Sequence, residues 1–547
     1  MKLSKMVLLI LLVGILPGLV FAGGGNQGGT QGSGEVTIVN GREMVNNTFI
    51  TGLPIVNQPT TLRIAFETHF QDELAGNNFD RKPFVLIAER ATGLKIEWST
   101  PATTAVPAIL ASGDLPDAFI GLITDQLLVQ NSNLFLPLED KLERWAPNVL
   151  SFYEEHVPDW KRFLTLDGHI YSMMNNFHNS LPHKVDSLTY VNTNWLRAIG
   201  RQIPGTVNEF RDVLRAFKTQ NVGNPGGQNN KIPLNFCNPL WNGGIQFLAG
   251  PWGIQGNYNL INGRILPTVN SANYREYLEF VHGLVSEGLV NVEGFSQNRE
   301  QYAAQQTEMR VGVFLGWAPT VFIPNPADHP MWEVVPPLAV PGKENLRIFY
   351  GASKARSQSG RHGFHITKQS KHPEAAMRWW DYISRDQDAA MLSVHGEPGV
   401  GYYKRGNEFI QVQPTDEQAR QYGLVTANDF FPSIGMVNFH PVVLNYPATD
   451  LERSPYTENA WRQRAIPKYW NYLPDEVLPR ALASPAKVEE RALLELDLLP
   501  FINSFRADAI LNGLTDAKWN TYVNELQNRY RYNDWLKWHQ DFVDGRF

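Results

Sequence analysis

Residues 83–98, PFVLIAERATGLKIEW, decide the fold. Pro83 to Thr92 reads as a helix, Gly93 ends it, and Leu94 to Trp98 reads as a strand. Upstream, Thr61 to Phe66 (TLRIAF) alternates and is rich in apolar residues, as a first strand should be. Downstream, Pro101 to Ala111 gives a short helix stopped by Ser112-Gly113-Asp114, and Asp117 to Gly121 a third strand. Strands alternating with helices predict a parallel α/β sheet. Ligands bind such sheets beyond the carboxyl ends of the strands, so the loops after Phe66 and Gly121 are the first places to look for a site.

A second α/β run opens at Leu188-Thr-Tyr-Val191, where Thr206 is the expected N-cap of a helix over Val207 to Lys218. Helical patterns recur at Ser271 to Glu287, Glu374 to Ser384 and Val488 to Leu511, and the chain ends in helices rich in Trp and Tyr. A chain of 547 residues is too long for one core, which stops growing near 250–300 residues, so two or more lobes are expected.

The amino-terminal 22 residues have the three parts of a secretory signal. Lys2 and Lys5 supply the positive start, an apolar run extends from Met6 to Val20, and Val20-Phe21-Ala22 offers a cleavage step. The run is shorter than the ~20 residues that cross a bilayer, and Gly14, Pro17 and Gly18 interrupt it. Gly23 to Gly34 (GGGNQGGTQGSG) reads as flexible coil. It is similar to a lipoprotein tether without the cysteine that would carry the lipid. The one cysteine, Cys237, lies far inside the chain and permits neither an internal disulfide nor a cysteine-based metal cluster. The mature protein is expected to be soluble, unanchored, and periplasmic or extracellular. A formal net charge of −6 argues against nucleic acid, whose phosphates call for a basic footprint. The 15 Trp and 19 Tyr suit carbohydrate, since half-polar aromatics sit where apolar faces meet polar groups, and they equally suit a large core.

Several segments in order resemble the extracellular solute-binding proteins of ABC sugar transporters, the long family-1 type related to maltose-binding protein. They are Ala111-Ser-Gly-Asp-Leu-Pro-Asp117, Leu136-Pro-Leu-Glu-Asp140 with Trp145-Ala-Pro147, and Leu166-Asp-Gly-His-Ile-Tyr171. Tyr190 to Leu196 with Ile203-Pro-Gly-Thr206 follows, then Met309 to Ala318 (MRVGVFLGWA) and Lys371 to Ile383. The resemblance implies a two-lobed α/β periplasmic-binding-protein-like fold of type II, its lobes joined by crossing hinge segments, with a sugar or oligosaccharide held between them and handed to a membrane permease. The implied division is 1–22 signal peptide, 23–57 Gly-rich tail and lead-in, 58–185 plus 362–430 the first lobe, and 186–361 plus 431–547 the second.

Sugars offer apolar C–H faces and a rim of hydroxyls, so flat aromatics and polar hydrogen-bond partners are the candidates. Trp317, after Gly316, stands where the family's stacking tryptophan stands. Trp241, beside Asn242-Gly-Gly244, and Trp252 are the other aromatic candidates of the second lobe. In the first lobe, Glu67, Thr68 and His69 follow the first strand, and Thr124 and Asp125 follow the third. Tyr402 and Tyr350 are hinge-side candidates, while Asp114 and Asp117 are expected to brace their turn. Some long members carry an Asp-rich calcium loop where this chain has Asn221 to Asn230, which contains no Asp or Glu, so an ordinary polar turn is expected and no metal or cofactor. His362 and His365 read as surface histidines on opposite faces of a strand. A secreted glycoside hydrolase would need two opposed carboxylates, and no stretch resembles a hydrolase motif; His-Glu-x-x-His and Gly-x-Ser-x-Gly are absent as well. A chemosensory or structural surface protein on the same fold is the remaining alternative. A monomer that is not an enzyme is expected.

Overall fold

The computed structural model describes residues 35–68, 79–157, 160–175, 185, 187–222, 230–240, 242–351, 353–354, 360–412, 414–421, 448–452, 455–476, 478 and 482–546. The leader, the Gly-rich stretch, His69, Trp241 and most of the Asn221 to Asn230 loop lie outside these residues, as does the 422–447 segment on which the expected lobe boundary falls.

Two sheets organise the chain. The first contains β1 (Thr60–Phe66), β2 (Leu94–Ser99), β3 (Ala118–Ile120), β4 (Met173–Asn175) and β9 (Gly360–Ile366), in the order β2-β1-β3-β9-β4. β1 runs parallel to both β2 and β3, with Phe66 opposite Ile120, and β9 runs antiparallel to β3 and β4. The second sheet contains β5 (Leu188–Asn192), β6 (Ile232–Asn235), β7 (Val311–Gly316) and β8 (Trp332–Val334), in the order β6-β7-β5-β8. β9 follows the whole second sheet in sequence yet inserts between β3 and β4 of the first. The chain therefore crosses from lobe to lobe at least twice, once between β4 and β5 and once between β8 and β9, and neither lobe is a continuous segment.

Local chemistry sets the elements as expected. Helix α1 (Pro83–Thr92) begins with proline at its first position, where no amide is needed, and stops at Gly93, whose φ of +75° few other residues adopt. Helix α4 (Val207–Thr219) carries a full capping box: Thr206 Oγ1 accepts from the Glu209 amide at 3.2 Å and Glu209 accepts from the Thr206 amide at 3.1 Å. The period of two then divides each strand between two cores. In β7, Val313 and Leu315 pack with Trp195, Phe210 and Leu234 on one face, while Phe314 packs with Tyr190 and Trp332 on the other. Helix α7 (Glu458–Tyr469) closes that second face with Trp461, Ile466 and Tyr469, and helices α8 (Pro485–Asn512), α9 (Asp516–Asn528) and α10 (Tyr532–Val543) close the first.

Three expectations are corrected. The lead-in is folded well before residue 58: Val36–Val39, Arg42–Val45 and Thr48–Phe49 form a small antiparallel sheet, and Val45, Ile55 and Val56 enter the first lobe's core. Helix α6 (Pro373–Ile383) holds it there through Arg378, which donates to the carbonyls of Phe49 and Gly52 at 2.5 and 3.2 Å. Second, His365 is fully buried with its ring edge-on to Phe135, because β9 is an inner strand covered on both faces. Third, residues 402–411, expected within the first lobe's 362–430 segment, are also tied to the second lobe. Strands Tyr402–Arg405 and Glu408–Gln411 pair with Ala448–Thr449, and Gln411 accepts from Asn459 of α7 at 2.7 Å. This small sheet links the lobes.

Candidate ligand-binding site

Trp317 is the first residue after β7. Gly316 lets the Phe322 ring pack against the end of β7, since a Cβ there would lie 2.7 Å from that ring. The Trp317 carbonyl accepts from the Tyr190 hydroxyl at 2.8 Å and from Arg462 Nη1 at 3.0 Å. The Arg462 guanidinium carbon lies 3.4 Å from the indole centroid, flat against one face. Trp317 itself is half-buried at the margin of the second lobe's core. One face is thus occupied by a cation, a contact worth ~2 kcal/mol when desolvated. Sequence reasoning missed Arg462. The signal was available: residues 462, 466 and 469 recur at i, i+4 and i+7 on α7, so a charge stands in an apolar stripe.

β6 and β7 are parallel, with Asn235 opposite Phe314, so the loop after β6 leaves the sheet at the same edge as Trp317. That loop contains Trp241, which lies outside the described residues; Asn242 beside it is buried.

The first lobe's candidates share an edge for the same reason. β1 and β3 are parallel neighbours, and the Glu67 amide donates to the Ile120 carbonyl at 3.0 Å. Glu67 is half-buried, and burial raises its carboxyl above the ordinary value. Thr124 caps helix α3 (Asp125–Asn131), its Oγ1 accepting from the Leu127 amide at 3.2 Å, and Asp125 is half-buried in the first turn. Thr68 completes the described set, since His69 is not among the described residues. Asp114 and Asp117 brace their turn: Asp114 pairs with Arg63, and Asp117 accepts from the Arg63 amide at 2.8 Å and the Ser370 hydroxyl at 2.7 Å.

Two aromatic candidates belong to cores instead. Trp252 is 3% exposed and packs on Tyr277 and Phe280 at 5.8 and 5.2 Å. The apolar run Ile245–Trp252 winds into a tight helix that buries it, a consequence of long-range packing that the Gly-rich context concealed. Tyr402 is buried against Phe409, and burial pushes its hydroxyl up to about 12. Tyr350 is half-buried, its ring edge-on to Phe247 at 5.2 Å.

An open groove of about 270 Å³ lies elsewhere on the first lobe, lined by Asn148, Arg378, Asp381 and Arg385 among others. Its polar groups already serve the fold: Asp381 accepts from Asn148 and the Val149 amide at 2.7 and 3.0 Å. Among the described residues, no group of three or more His, Cys, Asp or Glu side chains gathers as a metal site would require.

Residues 73–390 match the family model of bacterial extracellular solute-binding proteins. The chain belongs to that family. A curated relative of this solute-binding protein is the fructooligosaccharide ABC transporter substrate-binding protein FusA of Streptococcus pneumoniae serotype 4. It is 26% identical over 476 residues, which is 83% of this chain and 85% of FusA. Lipoprotein LipO of Bacillus subtilis is 24% identical over 230 residues, 39% of this chain and 42% of its own. Among solved structures, FusA in complex with kestose superposes with a TM-score of 0.73 at 23% identity, covering 89% of this chain and 99% of that one. An extracellular solute-binding protein from Bifidobacterium longum subsp. infantis gives 0.73 at 20% identity, over 90% and 99% of the two chains. These likenesses bear out the two-lobed type II fold of this solute-binding protein.

Proposed function

We propose that this solute-binding protein captures an oligosaccharide between its lobes, outside the cytoplasm, and delivers it to the permease of an ABC transporter. The observation that carries the reading is Trp317: a half-buried indole at the carboxyl end of a central strand, anchored by its carbonyl and backed on one face by Arg462. Glu67, Thr68, Thr124 and Asp125, at the matching edge of the first sheet, are the proposed hydrogen-bonding partners, with His69 and Trp241 beside them in sequence. A flat apolar face on one lobe and polar groups on the other match the two kinds of surface a sugar presents. The substrate class is supported by FusA, whose name specifies fructooligosaccharides and whose structure holds kestose.

Binding works as a shift of population. Open and closed forms interconvert at the crossings, and a ligand favours closure by the free energy with which it binds the closed form better. The protein acts as a monomer, and it catalyses nothing, the latter supported by FusA, which is named a substrate-binding protein. We further propose that the leader is cleaved after Ala22 and that no lipid is attached, since the one cysteine is the buried Cys237.

A thermal-shift panel of kestose, nystose, maltotriose and lacto-N-tetraose, with the monosaccharides fructose and glucose, tests the substrate class. A sugar at 100 times its Kd should stabilise the protein by ~2.7 kcal/mol. Stabilisation by oligosaccharides supports the reading, and a response confined to non-carbohydrate solutes such as short peptides overturns it.

A further inference from the structure

Helix α7 carries a charge where its apolar stripe should run. Arg462 is 1% exposed and lies among Trp461, Ala465, Ile466 and Tyr469, all buried in the second lobe. Taking a guanidinium out of water costs several kcal/mol, so its contacts are informative. Two of them converge on Trp317, and a third reaches the chain between the two sheets. The guanidinium stacks on the Trp317 indole, Nη1 donates to the Trp317 carbonyl, and Nη2 donates to the Val185 carbonyl. Val185 lies in the crossing between β4 of the first sheet and β5 of the second. The same side chain thus holds the indole, its backbone and Val185 of the crossing.

We infer that Arg462 is the positioning residue of the binding site, fixing the plane of the Trp317 indole relative to the inter-lobe crossing and with it the angle at which the indole meets ligand. The inference rests on the reading of Trp317 as a ligand contact. Planarity is essential to the role. A guanidinium can lie flat on an indole and donate in two directions at once, whereas an ammonium is a strongly hydrated point charge. Tyr190 makes a useful contrast, because its hydroxyl donates to the same carbonyl but carries no charge to set against the indole.

The test uses the mature full-length chain labelled with 5-fluorotryptophan, the Trp317 ¹⁹F resonance being assigned by its loss in Trp317→Phe. In the ligand-free state, Arg462→Lys and Arg462→Gln are expected to shift and broaden the Trp317 resonance and leave the others in place. Tyr190→Phe is expected to move it far less. With kestose as probe, both Arg462 variants are expected to bind at least tenfold more weakly than the wild type, and Tyr190→Phe within about threefold. An unmoved Trp317 resonance in both Arg462 variants overturns the inference. So does a Tyr190→Phe effect equal to theirs, which would assign the role to the carbonyl bond alone. Collapse of the fold in both variants also overturns it, making Arg462 a core residue. The underlying reading fails separately: a wild-type Trp317 resonance that stays put while kestose binds removes Trp317 from the site, whatever Arg462 does to it in the free protein.

Discussion

His539 makes the stability of the second lobe depend on pH. It sits on α10, 4% exposed, with its ring 4.7 Å from that of Tyr258 and 4.5 Å from that of Trp535, and neither ring nitrogen has a hydrogen-bond partner among the described residues. Burial, reinforced by the charge of Arg491, lowers its imidazole from the ordinary 6.5 to about 3. The folded protein therefore holds His539 neutral where the unfolded chain protonates it. The stability this group contributes is fully present above pH 6.5 and is lost as pH falls toward 3. At pH 5 the unfolded chain gains RT ln(1 + 10^1.5), about 2 kcal/mol, while the folded protein gains almost nothing. That corresponds to roughly 4–8 °C of melting temperature for a lobe of this size. His539→Leu removes the titrating group and a buried polar group without a partner. It should melt at or above the wild-type temperature at pH 8 and lose less on acidification, by that same roughly 4–8 °C at pH 5. Other groups that titrate in this range, His329 included, cancel in the comparison. Calorimetric scans of both proteins at pH 8 and pH 5 provide the measurement, and an identical acid shift in the two would refute the reasoning.

Further outcomes follow from individual contacts. Trp252→Ala should cost ~3–5 kcal/mol of ligand-free stability, read as a lowered chemical-denaturation midpoint, because Trp252 packs in the second lobe's core. Thr206→Ala opens the capping box of α4 and should cost ~1 kcal/mol in the same assay, with sugar affinity unchanged. Intact-mass analysis of the exported protein should find Gly23 at the amino terminus and no acyl adduct; a retained leader or a lipid would contradict the processing proposed above.

The parallel pairing of β1 with β2 and β3 was legible because local signals agreed with the global fold. Pro83, Gly93 and the alternation of Leu94 to Trp98 are each decided within a few residues. So is the Thr206 cap. The losses lie where distant chain decides. Val36 to Phe49 forms a small sheet whose residue Val45 is buried in the first lobe's core, and nothing local distinguishes such a docked sheet from a tail. Trp252 and Tyr402 stand in the sequence as ligand candidates, yet Tyr277 and Phe280 bury one and Phe409 the other. Trp317 and the loops after β1 and β3 were found because strand ends are visible in sequence. Arg462 was not, since its partner lies 145 residues away and only the interruption of a helical stripe betrays it.

The central claim is that Trp317 presents a stacking face to an oligosaccharide held between the lobes. A calorimetric titration of kestose, or of the panel oligosaccharide that stabilises the protein most, into wild type and Trp317→Ala tests it most directly. Loss of a stacked indole face should weaken binding by ~1–3 kcal/mol, about the value of a large buried side chain. The account predicts an affinity at least tenfold lower for the variant, with ligand-free melting close to wild type. Unchanged affinity together with a collapsed melting temperature would contradict it and make Trp317 a residue of the core.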